Sequence, residues 1–234
     1  MKCLIADFKW DIEEKFDTIR EKAKDYVDSF DIADFNISAD DSDLEYELSL
    51  SEFPLKKPYL EYIAVLRKIG EILPIHNAFV LHGAGFDVEG TGVALLAKSG
   101  TGKTTHLSRW KKFLKDKMTV VNGDKPIVRF LDNKITAYGT PWCGKENLGC
   151  NTKTNLKHIC FIERDQTNYA EKITKDEALP RIFNQVYMPT KDAEAVTKTM
   201  GLIDRLLSGC ELWIIHCNMD ENAGEIVYNN IFKS

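Results

Sequence analysis

The chain has 234 residues, 44% of them apolar and 29% charged, enough to bury a sizeable core in one large domain, alone or with a small N-terminal module. A formal net charge of −5 gives no electrostatic footprint for DNA or RNA and argues against a nucleic-acid partner. No apolar run approaches the roughly 20 residues that span a bilayer, and the start MKCLIADFKWDIEEKF turns charged too early for a signal peptide, so no membrane role and a cytoplasmic location are expected.

The six cysteines include no C-x-x-C pair, and a chain of this length needs no disulfide framework, so reduced thiols are expected. MKCLIADF reads as a short strand. In DIEEKFDTIREKAKDYV the apolar residues Phe16, Ile19, Ala23 and Tyr26 fall at helical spacing. DFNIS and EYELSLSEF alternate with period two and read as strands, and YLEYIAVLRKIGEIL returns to a helical period before Pro74. Residues 1–75 are therefore expected to form a small α+β module, and no Ser/Gly-rich linker separates it from residues 76–234.

In NAFVLHGAGFDVEGTGVALLAKSG two apolar strands flank a turn at Glu89 and Gly90, and the second runs directly into a glycine loop. A helix is expected to open near Lys103. The strand MTVVNGD, a hairpin turning at Asp132 and Asn133, the loop TPWCGKENLGCNTKT and the strand HICFIER follow. Two helical stretches, KDEALPRIFNQV and DAEAVTKTMGLIDRLLSG, precede a last strand ELWIIHC and a closing helix. His106, His158 and His216 fall within these patterns and read as structural.

The glycine loop AKSGTGKTTH nearly spells G-x-x-x-x-G-K-[ST] and sits between a buried-type strand and a helix, the setting in which that motif binds phosphate. Backbone N–H groups from Ser99, Gly100, Thr101, Gly102, Lys103, Thr104 and Thr105 would cradle the outer phosphates of ATP, helped by the helix N-terminus. Lys103 would reach those phosphates, and the Thr104 hydroxyl would meet a magnesium ion bridging them. The first glycine of the motif is replaced by Ala97, which is tolerable at a strand exit if φ stays negative. Asp124, about twenty residues downstream at the end of MTVVNGD, supplies the carboxylate that such a magnesium site requires.

LHGAGFDVEGTGVALLAKSGTGKTT resembles the segment around the nucleotide loop of the HPr kinase/phosphorylase catalytic domain, with His82, Gly83, Asp87, Gly90, Gly92, Ser99, Gly100, Gly102, Lys103 and Thr104 in register. SGTGKTT is equally similar to ATP-dependent phosphoenolpyruvate carboxykinase. The likeness is good over residues 78–125 and looser beyond, and residues 1–75 do not resemble the N-terminal domain of the HPr enzyme. It implies an α/β, HPr kinase/PEP carboxykinase-like P-loop domain in which Lys103 binds the β- and γ-phosphates, Thr104 and Asp124 are magnesium ligands, and His82 stands beside the transferring group. Where the family has two consecutive aspartates this chain has Gly123 and Asp124, so either Asp124 serves both metal and proton or His82 takes the proton. Trp142, Lys145, Glu146 and Arg181 are candidates for the substrate side, with Glu146 standing in for a family glutamate.

The function this resemblance implies is an ATP-dependent kinase acting on a hydroxyl of a protein, a peptide or a small molecule, with self-association possible. Two alternatives stay open: carboxykinase chemistry, and a nucleotide-binding interaction module silenced by Gly123.

Overall fold

In this computed structural model, which describes residues 1–98, 100–218 and 220–233, the first strand doubles back at once. β1 (Lys2–Ile5) and β2 (Phe8–Glu13) pair antiparallel around Ala6 and Asp7, both at positive φ (55° and 56°), the conformation of a tight hairpin turn. A strand thus replaces the first part of the helix expected from residue 11. Phe8, Trp10 and Ile12 are buried at period two, a signal that the helical reading of Phe16 onward passed over. The helix shrinks to α1 (Asp17–Lys22), followed by a 3-10 turn over Lys24–Tyr26.

β3 (Phe35–Ser38) joins β2 in parallel. The second alternating stretch, EYELSLSEF, is not a strand but largely the helix α2 (Asp41–Ser49). A capping box decides it: the Asp40 side chain accepts from Asp43 N–H while the Asp43 carboxylate accepts from Asp40 N–H. The buried face of α2 is also charged, since Asp43 and Glu47 receive Arg67 of α3 (Lys57–Ile72) at 2.8 and 2.5 Å, so apolar periodicity could not reveal it.

The large sheet runs β4 (Ala78–Val80), β8 (Ile127–Leu131), β9 (Lys134–Tyr138), β10 (Lys153–Arg164), β6 (Thr91–Leu96), β5 (Ala84–Val88), β7 (Met118–Asn122). The segment read as one strand before Glu89 is therefore two, β4 and β5, placed in different parts of the sheet. On the far side of β10 lies β12 (Glu211–Cys217), which pairs with β10 in parallel and carries the edge strand β11 (Tyr169–Lys172), also absent from the sequence reading.

Helices cover both faces. Ala94 and Leu96 of β6 and Ile159 and Phe161 of β10 point to α5 (Lys175–Ile182) and α6 (Ala193–Gly209). The alternate residues Val93, Leu95, Cys160 and Ile162 point to α4 (Lys103–Leu114) and α7 (Ala223–Phe232). Burial on both faces is why these strands read as continuous apolar runs. A further core beneath the three-stranded sheet joins Ile5, Trp10 and Ile69 to Ala78, Val80, Ile127, Tyr138 and Trp142. Among the described residues no helix is long and apolar enough to cross a membrane, and all six cysteines are free.

Candidate functional site

β6 leaves the sheet at Ala97, which is 6% exposed and is not among the positive-φ residues, so alanine fits the first position of the motif without strain. Gly100 and Gly102 follow at φ 77° and 115°, values that L-residues with side chains avoid. Among the described residues no heavy atom lies within 4 Å of where a Cβ would stand on either glycine. The space beside the loop is open, and a side chain would fill it. Ser99 lies outside the described residues.

Gly102 is the N-cap of α4 and has no side chain with which to cap it. Helix geometry leaves the N–H groups of Lys103, Thr104 and Thr105 without intrahelical acceptors, while His106 N–H already closes on Gly102 O at 2.9 Å. Free donors, the positive end of a helix and an open concavity together suit an anion. Thr104 is exposed beside them. The loop is tied from outside by Arg164 at the end of β10, which donates to Gly100 O at 2.5 Å and to Thr101 O at 3.3 Å. No motif signalled that arginine.

Lys103 turns back across the loop to Asp124, Nζ to Oδ1 3.4 Å; His82 Nε2 lies 3.5 Å from the same oxygen and Lys125 Nζ 3.0 Å from Oδ2. His82, Lys103 and Asp124, predicted from separate segments, thus meet, and Lys125, which was not predicted, joins them. Burial pushes the Asp124 carboxyl up, but His82, Lys125 and Lys103 outweigh it and hold the group well below the usual carboxylate range. Burial lowers the Lys103 ammonium, and Asp124 restores it only in part. Asp124 is therefore held in its ionised form, with Lys103 beside it as a largely desolvated cation.

Asn122, fully buried, sets this arrangement. Its Oδ1 accepts from the N–H groups of Asp124 (2.8 Å) and Lys125 (2.7 Å), and its Nδ2 donates to Thr140 O (3.1 Å) and Oγ1 (2.9 Å). The backbone of Asp124 also accepts from Gly83 N–H at 2.9 Å, which brings the His82 segment alongside. Gly123 N–H donates to Leu148 O at 2.7 Å, and a Cβ at Gly123 would stand 3.0 Å from that oxygen. A side chain at position 123 would thus crowd the loop of residues 140–149.

That loop carries Lys145 and Glu146, both exposed, with the Glu146 charge close enough to act on Lys103. Trp142, expected on the substrate side, is instead 2% exposed; its Nε1 donates to Tyr62 O at 2.8 Å, the two rings stack at 5.7 Å, and Tyr62 Oη donates to Pro141 O at 2.9 Å. Its large apolar ring is used to anchor the loop on α3. Arg181 lies elsewhere, in the last turn of α5, paired with Glu163. Asp87 braces the turn before β6, accepting from Gly90 N–H and Thr154 Oγ1. His106 is buried without a hydrogen-bond partner among the described residues, His158 accepts from Trp213 Nε1, and His216 lies between Asp165 and Glu171.

No family model matches the chain, and no curated protein matches it. Among solved structures it is similar to the Hpr(Ser) kinase/phosphatase from Coxiella burnetii, at 9% identity and a TM-score of 0.38, over 66% of this chain and 97% of that one.

Proposed function

We propose that this chain is an ATP-dependent phosphotransferase of the HPr-kinase-like class, moving the γ-phosphoryl group to a hydroxyl on a protein, peptide or small molecule. The observation that carries the reading is the meeting of Lys103, at the start of a helix capped only by glycine, with Asp124 at 3.4 Å. The outer phosphates would lie against the N–H groups of Lys103, Thr104 and Thr105, which the helix leaves without acceptors, and Lys103 would pass from Asp124 to them. Positioning and charge neutralisation supply most of the rate.

The donor set fits magnesium held together with the nucleotide. Asp124 offers one carboxylate held in its ionised form by its neighbours and Thr104 one hydroxyl, and hard oxygens of this kind, completed by phosphate and water, are what the ion takes. Among the described residues no group of three or more His, Cys, Asp or Glu side chains could hold a metal on its own. When bound, the ion would neutralise charge on the outer phosphates. Asp124 also shares in accepting the acceptor's proton, which leaves late in a loose transition state and asks little basicity of it. His82 orients that carboxylate. Lys145 and Glu146 face the acceptor.

A second reading, a nucleotide-binding module without transfer, is favoured by Gly123, where no carboxylate stands and a Cβ would crowd Leu148 O at 3.0 Å. Calorimetry with ATP and magnesium, followed by a search for an acceptor labelled from γ-labelled ATP in cell extract, separates the two. No ATP binding refutes both readings; binding with no labelled acceptor refutes the kinase.

A further inference from the structure

Beside the glycine loop lies a crevice of about 790 Å³ that the steps above do not use. Its floor is apolar, with Leu96 and Phe161 at the carboxyl ends of β6 and β10 and Pro180 of α5, and its rim carries Arg164, Arg181 and Asn184. Crevices outside the carboxyl ends of parallel strands are where open α/β sheets take their ligands, and this volume suits a small-molecule group.

The sheet order decides which end of a nucleotide would reach it. Asp124 follows β7, which lies two strands from β6 across β5, whereas the crevice is floored by β10, the neighbour of β6 on the opposite side. A triphosphate with its outer groups between Lys103 and Asp124 therefore leads its other end away from β7 and toward β10. We infer that the crevice holds the nucleoside of the bound nucleotide, base and sugar together; this rests on the phosphate-binding reading of the loop.

The rim is already set for such a group. Arg181 donates from Nε and Nη2 to Glu163 Oε1 at 3.1 and 3.0 Å and from Nη1 to Glu177 O at 2.7 Å, so its plane is fixed before any ligand arrives. A fixed guanidinium is a stacking surface for a flat base. Asn184 is exposed at the same rim, with an amide that can both donate to and accept from a base edge. Inorganic triphosphate would bind the loop and use none of this.

The test compares magnesium ATP with magnesium tripolyphosphate by calorimetry on the wild type, Arg181→Ala and Asn184→Trp. The first variant removes the stacking surface, and the second fills the crevice without removing charge. Each should weaken ATP about tenfold and leave tripolyphosphate within about twofold. Full ATP affinity in either variant overturns the inference, and so does an equal loss for both ligands, which would make the effect one of general charge. Unchanged ATP affinity with slower transfer would give the crevice to the acceptor and equally overturn it. A wild type that binds neither ligand refutes the loop reading itself, a failure distinct from the others because it precedes any variant.

Discussion

Replacing Asn122 with alanine should both destabilise the fold and disable the site. The side chain makes four hydrogen bonds with nitrogen and oxygen partners in a fully buried place, two received from the N–H groups of Asp124 and Lys125 and two given to Thr140, besides a weak one from Nδ2 to Cys143 Sγ at 3.7 Å. At about 1 kcal/mol net per bond the sum is about 4 kcal/mol. The bond to Thr140 Oγ1 is cheap to lose, since that hydroxyl keeps Lys125 O at 2.8 Å and Trp142 N–H at 3.2 Å, which leaves about 3 kcal/mol. With a urea slope of about 2 kcal/mol/M, the midpoint should fall by about 1.5 M at unchanged slope. Thr140→Val should be less than additive with it in a double-mutant cycle, because the two share a bond. A midpoint shift below about 0.5 M would show that Asn122 does not hold this turn, and the account of how Asp124 is presented would fall with it.

Lys103→Ala should weaken ATP by about tenfold to a hundredfold in calorimetry, the worth of a charge-assisted contact, whereas Ala97→Gly should change it little, since Ala97 sits at the strand exit with ordinary φ. Asp124→Asn should abolish transfer from labelled ATP while retaining some nucleotide binding, and His82→Ala should slow transfer on the order of 10- to 100-fold. Gly123→Asp should not raise the rate and should cost about 1–3 kcal/mol in urea unfolding, because its Cβ meets Leu148 O at 3.0 Å. His106, 1% exposed, has its pKa pushed down to about 4 by burial and then by Arg109. The unfolded chain therefore binds the extra proton first, and stability is complete above about pH 6.5 and declines as pH falls from there toward 4, by up to about 3 kcal/mol. His106→Leu should remove that part of the pH dependence.

The loop, the helix after it and the carboxylate opposite were legible in the sequence because each carries a local signature: positive-φ glycines, a lysine at the first helical position, an aspartate ending an apolar run. His82 entered through resemblance, and the structure puts it 3.5 Å from Asp124. Asn122, Arg164 and Gln185 escaped notice for one reason. Each acts through bonds to main-chain atoms, Asn122 to those of Asp124, Lys125 and Thr140, Arg164 to those of Gly100 and Thr101, and Gln185 through its own backbone O, which accepts from His82 N–H at 2.6 Å, and such bonds ask for no motif along the chain. The misread elements have equally specific causes. In α2 the buried face is acidic, so period-two apolar spacing pointed the wrong way, and β11 is a short edge strand with little burial.

The interlock of Trp142 with Tyr62 bears on how this chain can be cut. The loop that leans on Asp124 is fastened to α3 by two hydrogen bonds and a ring stack, and Lys22 reaches Asn147 on the same loop at 2.9 Å. A fragment beginning at residue 76 would keep every residue of the nucleotide loop and still expose the indole of Trp142 to water, with its N–H and the Pro141 carbonyl deprived of their partners. The smallest fragment that keeps this loop packed against its partners therefore extends back through α3.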